Sequence, residues 1–309
     1  MVKYILKRVL FVIPVVLGIS FFIFLIMSLA PGDPAQLILG TEASPAAIAA
    51  KRAELGLDDP LLVRYVNYMK GVVQGDFGFS WYNKFNVLSE FGARLPNTLT
   101  LGMMAMAISA LVGIPLGIFA AVRQNSVFDY TSMVVAMIFT SMPSFWFGLM
   151  AQVYIALKLG WLPATGVGSL KHFVLPAITL AAAQLASQVR MTRTSILEVI
   201  KQDYVRTARS KGASERRVII KHVLRNGLLP VITQLGLSFA LLLGGAIVTE
   251  TVFAIPGVAS LLISAVKLRD VPVVTGIVII IACFVGFANL LVDLLYAVVD
   301  PRVKHGYLS

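Results

Sequence analysis

A polar stretch at residues 203–230 carries the charged groups best placed to do chemistry in an otherwise apolar chain. Its acids are Asp203 and Glu215 only. Its basic residues are Arg206, Arg209, Lys211, Arg216, Arg217, Lys221 and Arg225. Fixed positive charge at this density either holds a loop on the cytoplasmic side of a membrane or attracts an acidic protein surface. The chemistry indicated is therefore binding, and composition alone leaves both interpretations open.

The order of residues in this stretch predicts two short helices separated by a glycine. Asp203 can accept hydrogen bonds from the free amides of a first turn, and its charge suits the positive end of the helix dipole. Gly212 can adopt the left-handed conformation that ends a helix. Ser214 can cap a second helix that runs to about residue 227, and Pro230 can open the next apolar run.

Tyr204, Val205 and Ala208 lie at helical spacing and are predicted to share one face of the first helix. Such a face fits docking on a second protein, and it also fits packing against the chain's own membrane spans. We favour docking, which would make the stretch a projecting contact for a partner.

The stretch resembles the cytoplasmic loop of binding-protein-dependent ABC importer permeases, written E-A-A-x-x-x-G with an ending like I-x-L-P. Arg206, Thr207 and Ala208 occupy the E-A-A positions, Gly212 the glycine, and Leu228-Leu229-Pro230 the ending. Arg206 departs from the usual acid, so no salt bridge is carried over from that position. The form YVRTARSKG looks like the dipeptide, oligopeptide and nickel branch of the family.

Composition places the chain in a membrane. Of its 309 residues, 58% are hydrophobic and 13% charged, and the mean hydropathy is +0.86, whereas soluble domains carry about 25% charged residues. The net charge of +11 is concentrated beside apolar runs, without a nucleic-acid-binding motif, so nucleic acid is not an expected partner. The one cysteine, Cys283, and three histidines predict neither an internal disulfide nor a metal site.

Six apolar runs predict an all-α polytopic membrane protein with six transmembrane helices. The runs are 9–30, 97–121, 130–157, 173–189, 228–249 and 273–299. The first is too long for a signal peptide and lacks a small-residue cleavage site, so it is expected to be retained. Lys3, Lys7 and Arg8 before it place the N-terminus in the cytoplasm, and an even number of spans returns the C-terminus there.

The domain organisation follows from these runs. We expect an N-terminal transmembrane helix at 1–30, an extracytoplasmic segment at 31–96, a five-helix permease core at 97–299, and a cytoplasmic tail at 300–309. The core contains the cytoplasmic coupling loop at 190–228. Within the extracytoplasmic segment, Ser44-Pro45 predicts a helix start, and residues 61–73 predict a second helix.

Transport needs a source of free energy, and the sequence limits where it enters. No G-x-x-x-x-G-K-[ST] motif is present to cradle ATP phosphates, and the apolar runs hold almost no ionisable residue at mid-depth. The chain is therefore expected to be no enzyme and to hold no cofactor, with ATP acting on partner subunits. An ion-coupled carrier working alone remains an alternative, because backbone carbonyls can also hold sodium. An intramembrane enzyme lacks its catalytic constellation.

Further segments match the same family in order, namely SMPSFWFG, LGWLPATG, ETVFAIPG, the step at 269–272 and LLYAVVDPRV. The resemblance therefore covers almost the whole chain. It implies the type I importer permease fold in a bacterial inner membrane. The implied partners are a homologous second permease, two ATPase subunits and an extracytoplasmic binding protein that delivers di- or oligopeptides. Nickel complexes, glutathione and oligosaccharides remain alternative substrates.

The resemblance implies that residues 203–208, Gly212 and Pro230 couple the permease to the ATPase. Met142 and Pro143 interrupt the third run and are candidates for a gate, although a packing kink fits equally. Glu250 is a candidate residue of the translocation path, and an interfacial position is its simpler interpretation.

Overall fold

The structure, a computed structural model, describes the backbone of residues 2–299 and consists mainly of helices. Side chains are described over this range except at 2–5, 7, 9, 183, 239–245 and 291–299, and the expected tail at 300–309 lies outside it. Apart from one isolated antiparallel bridge, Phe79 with Asn86, the described elements are helical. They are α1 (Val2–Leu29), α2 (Pro34–Leu39), α3 (Pro45–Glu54), α4 (Leu61–Val73), α5 (Val87–Val122), α6 (Val127–Ser141), α7 (Ser144–Ala151), α8 (Lys171–Ile200), α9 (Asp203–Ser210), α10 (Glu215–Arg217), α11 (Leu224–Gly227), α12 (Leu229–Val252), α13 (Val258–Leu268) and α14 (Val271–Val299).

The long apolar helices confirm an all-α membrane protein, but not the count of six spans. Three described stretches are long and apolar enough to cross a bilayer: Leu10–Leu29, Val87–Val122 and Val271–Leu290. Two bent helix pairs raise the number to five if each pair is one span. The fifth predicted span coincides with α12, where the side chains of 239–245 are not described, so six spans stay a prediction.

The predicted break at Met142-Pro143 is confirmed, and it is sharper than a kink. Met142 leaves the helical conformation with φ −78° and ψ 130° after its amide bonds to Ile138. Pro143, which restricts the residue before it to extended backbone, then precedes α7. The helices on the two sides of the break are inclined by 98°, so the chain turns nearly at a right angle.

The first of two compact units comprises Met1–Thr98 and Pro256–Leu290. Its buried core includes Phe24 from α1, Phe91 from α5 and Ile277 from α14. A buried carboxylate, Asp270, fixes the turn that follows α4. Ser80 Oγ donates to Asp270 Oδ2, and the Trp81 amide donates to Oδ1 at 3.1 Å.

Local signals in this unit predicted its short helices well. Ser44 caps α3 by accepting a hydrogen bond from the Ala47 amide at 3.2 Å, and Pro45 opens the helix as expected. Helix α4 has the predicted bounds. Helix α5 begins ten residues before the predicted span, because Asn86 Oδ1 accepts from the Ser89 amide and starts the helix there. Pro96, which immediately precedes the predicted span, therefore lies inside α5.

The second unit comprises Leu99–Ile255 and, among the described residues, 291–299, and α8 packs against several of its helices. Helix α8 packs against α6, α7, α11 and α12. It also approaches α5 closely at Gly117, where an added Cβ would lie 2.5 Å from Thr192 Cβ and 2.7 Å from the Val189 carbonyl. Helix α8 continues to Ile200, so the residues from Arg190 that were predicted to begin the coupling loop are still helical.

Candidate functional site

The stretch that follows α8 forms two helices around a glycine stop, as predicted. Helix α9 ends in a Schellman motif, in which the Gly212 amide bonds to Arg209 at 2.9 Å and the Ala213 amide bonds to Ala208 at 3.3 Å. Gly212 has φ +78°, the left-handed conformation that the sequence required. From here on, coupling loop means only the part of the predicted loop at 190–228 that lies beyond α8, residues 203–227 from α9 to the end of α11.

The second helix of the coupling loop is longer than its first turn suggests. It starts as α10 and passes without interruption through a π-helical segment, Val218–Val223, into α11. Single π-helical turns inside α-helices occur often at functional sites. Pro230 lies in the first turn of α12, where its missing amide hydrogen costs least, as predicted.

The predicted caps of the two helices differ from those observed. Gln202, not Asp203, holds the N-cap position of α9, and its side chain makes no capping bond. Asp203 is the first helical residue, so its charge still lies in the positively polarised first turn. Ser214 precedes α10 as expected, but its side chain also makes no capping bond.

The apolar face of α9 is divided between the interior and the surface. Val205 is fully buried in a cluster with Ile196, Val218 and Val223, and Ala208 packs against that cluster. Tyr204 points elsewhere, with 41% of its surface exposed. Val205 therefore holds the coupling loop on its own chain, and among the three residues of the predicted docking face Tyr204 offers the accessible apolar surface.

Polar contacts brace the coupling loop. Asn226 Nδ2 donates to the Tyr204 hydroxyl at 2.9 Å, which joins the start of α9 to α11. Arg209 makes a two-point ion pair with Glu215, Nε to Oε1 at 2.7 Å and Nη2 to Oε2 at 3.3 Å, across the Gly212 turn. Both side chains are exposed, and exposed pairs contribute only about 0–1 kcal/mol.

A buried hydrogen bond connects the coupling loop to α8. Ser195 Oγ donates to the Gly227 carbonyl at 2.7 Å. Gly227 also lies so close to α8 that an added Cβ would be 2.6 Å from Ile196 Cδ1. The end of the coupling loop is thus in direct contact with α8.

The outer surface of the coupling loop is basic. Within the described part of the chain, no carboxylate lies within 4.0 Å of the exposed basic residues Arg206, Lys211, Arg216, Arg217, Lys221 and Arg225. This surface, together with Tyr204 and Thr207, fits an acidic partner surface.

The structure separates the candidate path residues. Met142 and Pro143 line an open, mainly apolar cavity of about 650 Å³ with Val134, Ile138 and Trp146, at the 98° bend. Glu250 is fully buried in α12 and is not among the residues that line this cavity. Its roles as a path residue or as an interfacial residue both stay predictions.

Sequence reasoning missed an ion pair at the start of α6. Asp129 is 1% exposed, and its carboxylate receives Arg193 Nε at 2.5 Å and Arg193 Nη2 at 2.7 Å, while Oδ2 also accepts from the Asn125 amide at 3.0 Å. The signal available was Ser126 three residues before Asp129, whose hydroxyl caps α6 at the Asp129 amide. The pair connects α6, which leads to the 98° bend, with α8, which leads to the coupling loop.

The chain is similar to known proteins along its whole length. Residues 113–305 match the family model described as binding-protein-dependent transport system inner membrane component, and residues 1–102 match the model of its N-terminal region. The chain is 41% identical to the dipeptide transport system permease protein DppB of Escherichia coli K12, over 99% of both chains. It is 43% identical to the glutathione transport system permease protein GsiC of Salmonella choleraesuis, over 99% of this chain and 100% of the relative.

Solved structures are similar in fold at much lower identity. A chain of the MetNI methionine ABC transporter, in an inward-facing conformation, superposes with a TM-score of 0.59 at 16% identity. The superposition covers 69% of this chain and 98% of that one. A chain of an amino acid ABC transporter gives a TM-score of 0.51 at 18% identity, over 71% and 99% of the two chains.

Proposed function

The chain belongs to the family of binding-protein-dependent transport system inner membrane components, and on that premise we propose that it forms the translocation path for di- or oligopeptides. It is the permease subunit of an ABC importer, whose peptide would be delivered by an extracytoplasmic binding protein. The observation that carries the peptide assignment is 41% identity to dipeptide permeases along the whole chain.

Glutathione is a second candidate substrate, favoured by the 43% identity to glutathione permeases over 305 residues. Both candidates are short peptides with free charged ends. Nothing in the described residues favours nickel complexes or oligosaccharides over these two.

Two ATPase subunits and a homologous second permease complete the proposed assembly. The coupling loop supports this assignment, because its accessible residues are Tyr204 and unpaired basic side chains while its interior is fixed to α8. ATP would act on the partner subunits, and their closure would move α8 and α12 through the coupling loop.

Reconstitution tests the proposed function. The chain, its second permease and two ATPase subunits are placed in liposomes, and labelled alanyl-phenylalanine and glutathione are added with the binding protein. We expect ATP-dependent uptake of the dipeptide that disappears when the ATPase is omitted. Uptake that persists without the ATPase would favour an ion-coupled carrier and contradict the proposal.

The proposed topology predicts where reporters become active. A fusion at Ser309 should report a cytoplasmic C-terminus, and one at Lys84 an extracytoplasmic loop. Activity of paired alkaline phosphatase and green fluorescent protein fusions measures both. A Ser309 fusion that is active outside would refute the even number of spans.

The accessible residues of the coupling loop predict how strongly different variants lose substrate-stimulated ATPase activity. Tyr204→Ala removes a half-exposed aromatic anchor, for which a loss of about 2 kcal/mol or more is typical at interfaces. Arg206→Glu introduces charge repulsion against an acidic surface, and Arg206→Ala removes an exposed charge worth about 0–1 kcal/mol. Substrate-stimulated ATPase activity should therefore fall most in Tyr204→Ala, then in Arg206→Glu, and least in Arg206→Ala.

Tyr204→Phe is the matched control, because it keeps the ring and loses only the hydroxyl that accepts from Asn226. It should retain most of the ATPase stimulation and co-purify with the ATPase. Normal coupling in Tyr204→Ala with lost coupling in Arg206→Ala would show that the contact is electrostatic and that the aromatic anchor is wrong.

A further inference from the structure

A second cavity lies within the first unit, far in sequence from the coupling loop. Its volume is about 220 Å³, and it lies among α1, α4, the loop before α4 and the start of α14. This volume is below the roughly 300–1,000 Å³ of pockets for drug-sized ligands, so the cavity fits a smaller ligand. The residues that matter for its chemistry are Phe24, Asp59, Arg64, Asn67, Tyr68 and Trp81.

Charged groups of both signs line this cavity without pairing. Arg64 makes a cation–π contact with Phe24, its guanidinium carbon 5.7 Å from the ring centre, and no described carboxylate lies within 4.0 Å of it. The Asp59 carboxylate lies beside Gly56, where an added Cβ would be 3.6 Å from Oδ2. The charge of Asp59 reaches Arg64, although the two do not form an ion pair.

Two basic residues of the preceding helix, Lys51 and Arg52, form ion pairs with carboxylates, whereas Arg64 forms none with a described carboxylate. Arg52 donates to Asp33 Oδ2 at 2.8 Å and to Asp58 Oδ1 at 2.7 Å. Lys51 pairs with Glu54 at 2.7 Å. Burial lowers the pKa of Arg64, and the nearby charge of Asp59 opposes this shift. A partly desolvated guanidinium without a carboxylate is a strong site for an anion that can accept two hydrogen bonds.

Hydrogen bonds position the segments that carry the aromatic walls of the cavity. The Tyr68 hydroxyl donates to the Pro272 carbonyl at 3.1 Å, and its ring packs near Phe24. The backbone amide of Trp81 donates to buried Asp270 at 3.1 Å. The Asn67 side-chain amide has no hydrogen-bond partner among the described residues, so it remains available to a ligand. The cavity thus offers one cation, one anion, one amide and apolar walls.

We propose that this cavity binds a small zwitterion, the free ends of a short peptide, with the carboxylate on Arg64 and the ammonium on Asp59. The apolar side chain of the ligand packs against Trp81 and Phe24. The proposal rests on the proposed function for the peptide and for the extracytoplasmic location of α4. It adds a peptide site in the permease itself, outside the bend at Met142 and Pro143.

Binding of alanyl-phenylalanine and its blocked forms to the full chain in lipid nanodiscs tests the site by calorimetry. The wild type should bind the free dipeptide saturably. The N-acetyl and C-amide forms should each bind about tenfold or more weakly, because each loses one charge-assisted contact. Arg64→Gln should weaken binding of the free dipeptide to the same extent, and it should leave the affinity for the C-amide form unchanged. Asp59→Asn should also weaken binding of the free dipeptide about tenfold or more, and it should leave the affinity for the N-acetyl form unchanged.

Lys70→Gln is the matched control, since it removes a positive charge from the same helix without touching the cavity. It should bind like the wild type. Arg64→Lys keeps the charge and should bind with intermediate affinity, which separates misfolding from loss of the contact. Equal binding of the blocked and free dipeptides, or full binding by Arg64→Gln, would overturn the proposal.

Three further outcomes separate this site from the proposed function. If ATP-driven uptake occurs but the chain in nanodiscs binds no dipeptide, the cavity proposal fails and the importer assignment stands. If Arg64→Gln binds dipeptide normally but no longer captures the binding protein, the cavity is a protein contact and the peptide site is refuted. Saturable binding that follows the Arg64 and Asp59 pattern supports the site even if uptake is not driven by ATP.

Discussion

Gly212→Val is expected to abolish ATP-coupled uptake while the chain still inserts in the membrane. Gly212 has φ +78°, and nothing lies within 4 Å of a Cβ built on it, so the obstacle is the backbone conformation and not crowding. A β-branched residue resists the left-handed conformation at a cost of about 1–3 kcal/mol. The Schellman motif that ends α9 then opens, and the two helices of the coupling loop lose their fixed angle. Peptide uptake and ATPase stimulation in liposomes measure the loss.

Gly212→Asn is the control, because asparagine adopts positive φ several-fold more often than other residues with a side chain. It should retain most of the coupling, and Gly212→Ala should lie between the two. All three variants should reach the membrane in equal amounts, since the coupling loop is anchored through Val205 and Ser195 and not through Gly212. Wild-type uptake by Gly212→Val would refute the coupling role of this loop.

Features that depend on a few consecutive residues were predictable from sequence. The bounds of α4, the Ser44 cap, the break at Met142-Pro143 and the glycine stop at Gly212 each follow from the conformational preferences of one or two residues. The family match then follows from such motifs in order along the chain. These local rules gave the elements of the coupling loop but not the direction in which its side chains point.

Features that depend on distant residues were not predictable in the same way. The sequence placed Tyr204 and Val205 on one docking face, but they are adjacent in a helix, and burial of Val205 against Ile196 and Val218 turns Tyr204 outward. The cavity beside Arg64 joins α1, α4 and α14, and the hydrogen bond of Tyr68 to Pro272 at its edge joins residues 204 positions apart. Only the packing of the unit shows that Arg52 is paired and Arg64 is not.

The ion pair of Asp129 and Arg193 joins residues 64 positions apart and gives the second large expected effect. Asp129→Ala removes a buried carboxylate, and it leaves the partly exposed guanidinium of Arg193 and the Asn125 amide without their acceptor. Hydrogen bonds to a charged group contribute about 1.5–3 kcal/mol, and the Arg193 charge that remains is only 22% exposed, so the contact of α6 with α8 should weaken by about that amount. Arg193→Lys keeps the charge but loses the two-point geometry, so it should lower the free energy of unfolding less than Asp129→Ala does.

Glu215→Ala is a matched control, because it removes the acid of the other two-point pair with arginine, whose carboxylate is 63% exposed. That change should cost about 0–1 kcal/mol. Denaturation of the purified full chain, followed by the fluorescence of its tryptophans, measures the free energy of unfolding of each variant.

Asp129→Ala should also lose coupling, because α6 leads to the bend at Met142-Pro143 and α8 leads to the coupling loop. If Glu215→Ala destabilises the chain as much as Asp129→Ala, burial is not what gives the Asp129 pair its strength, and the connection of α6 to α8 must rest on apolar packing.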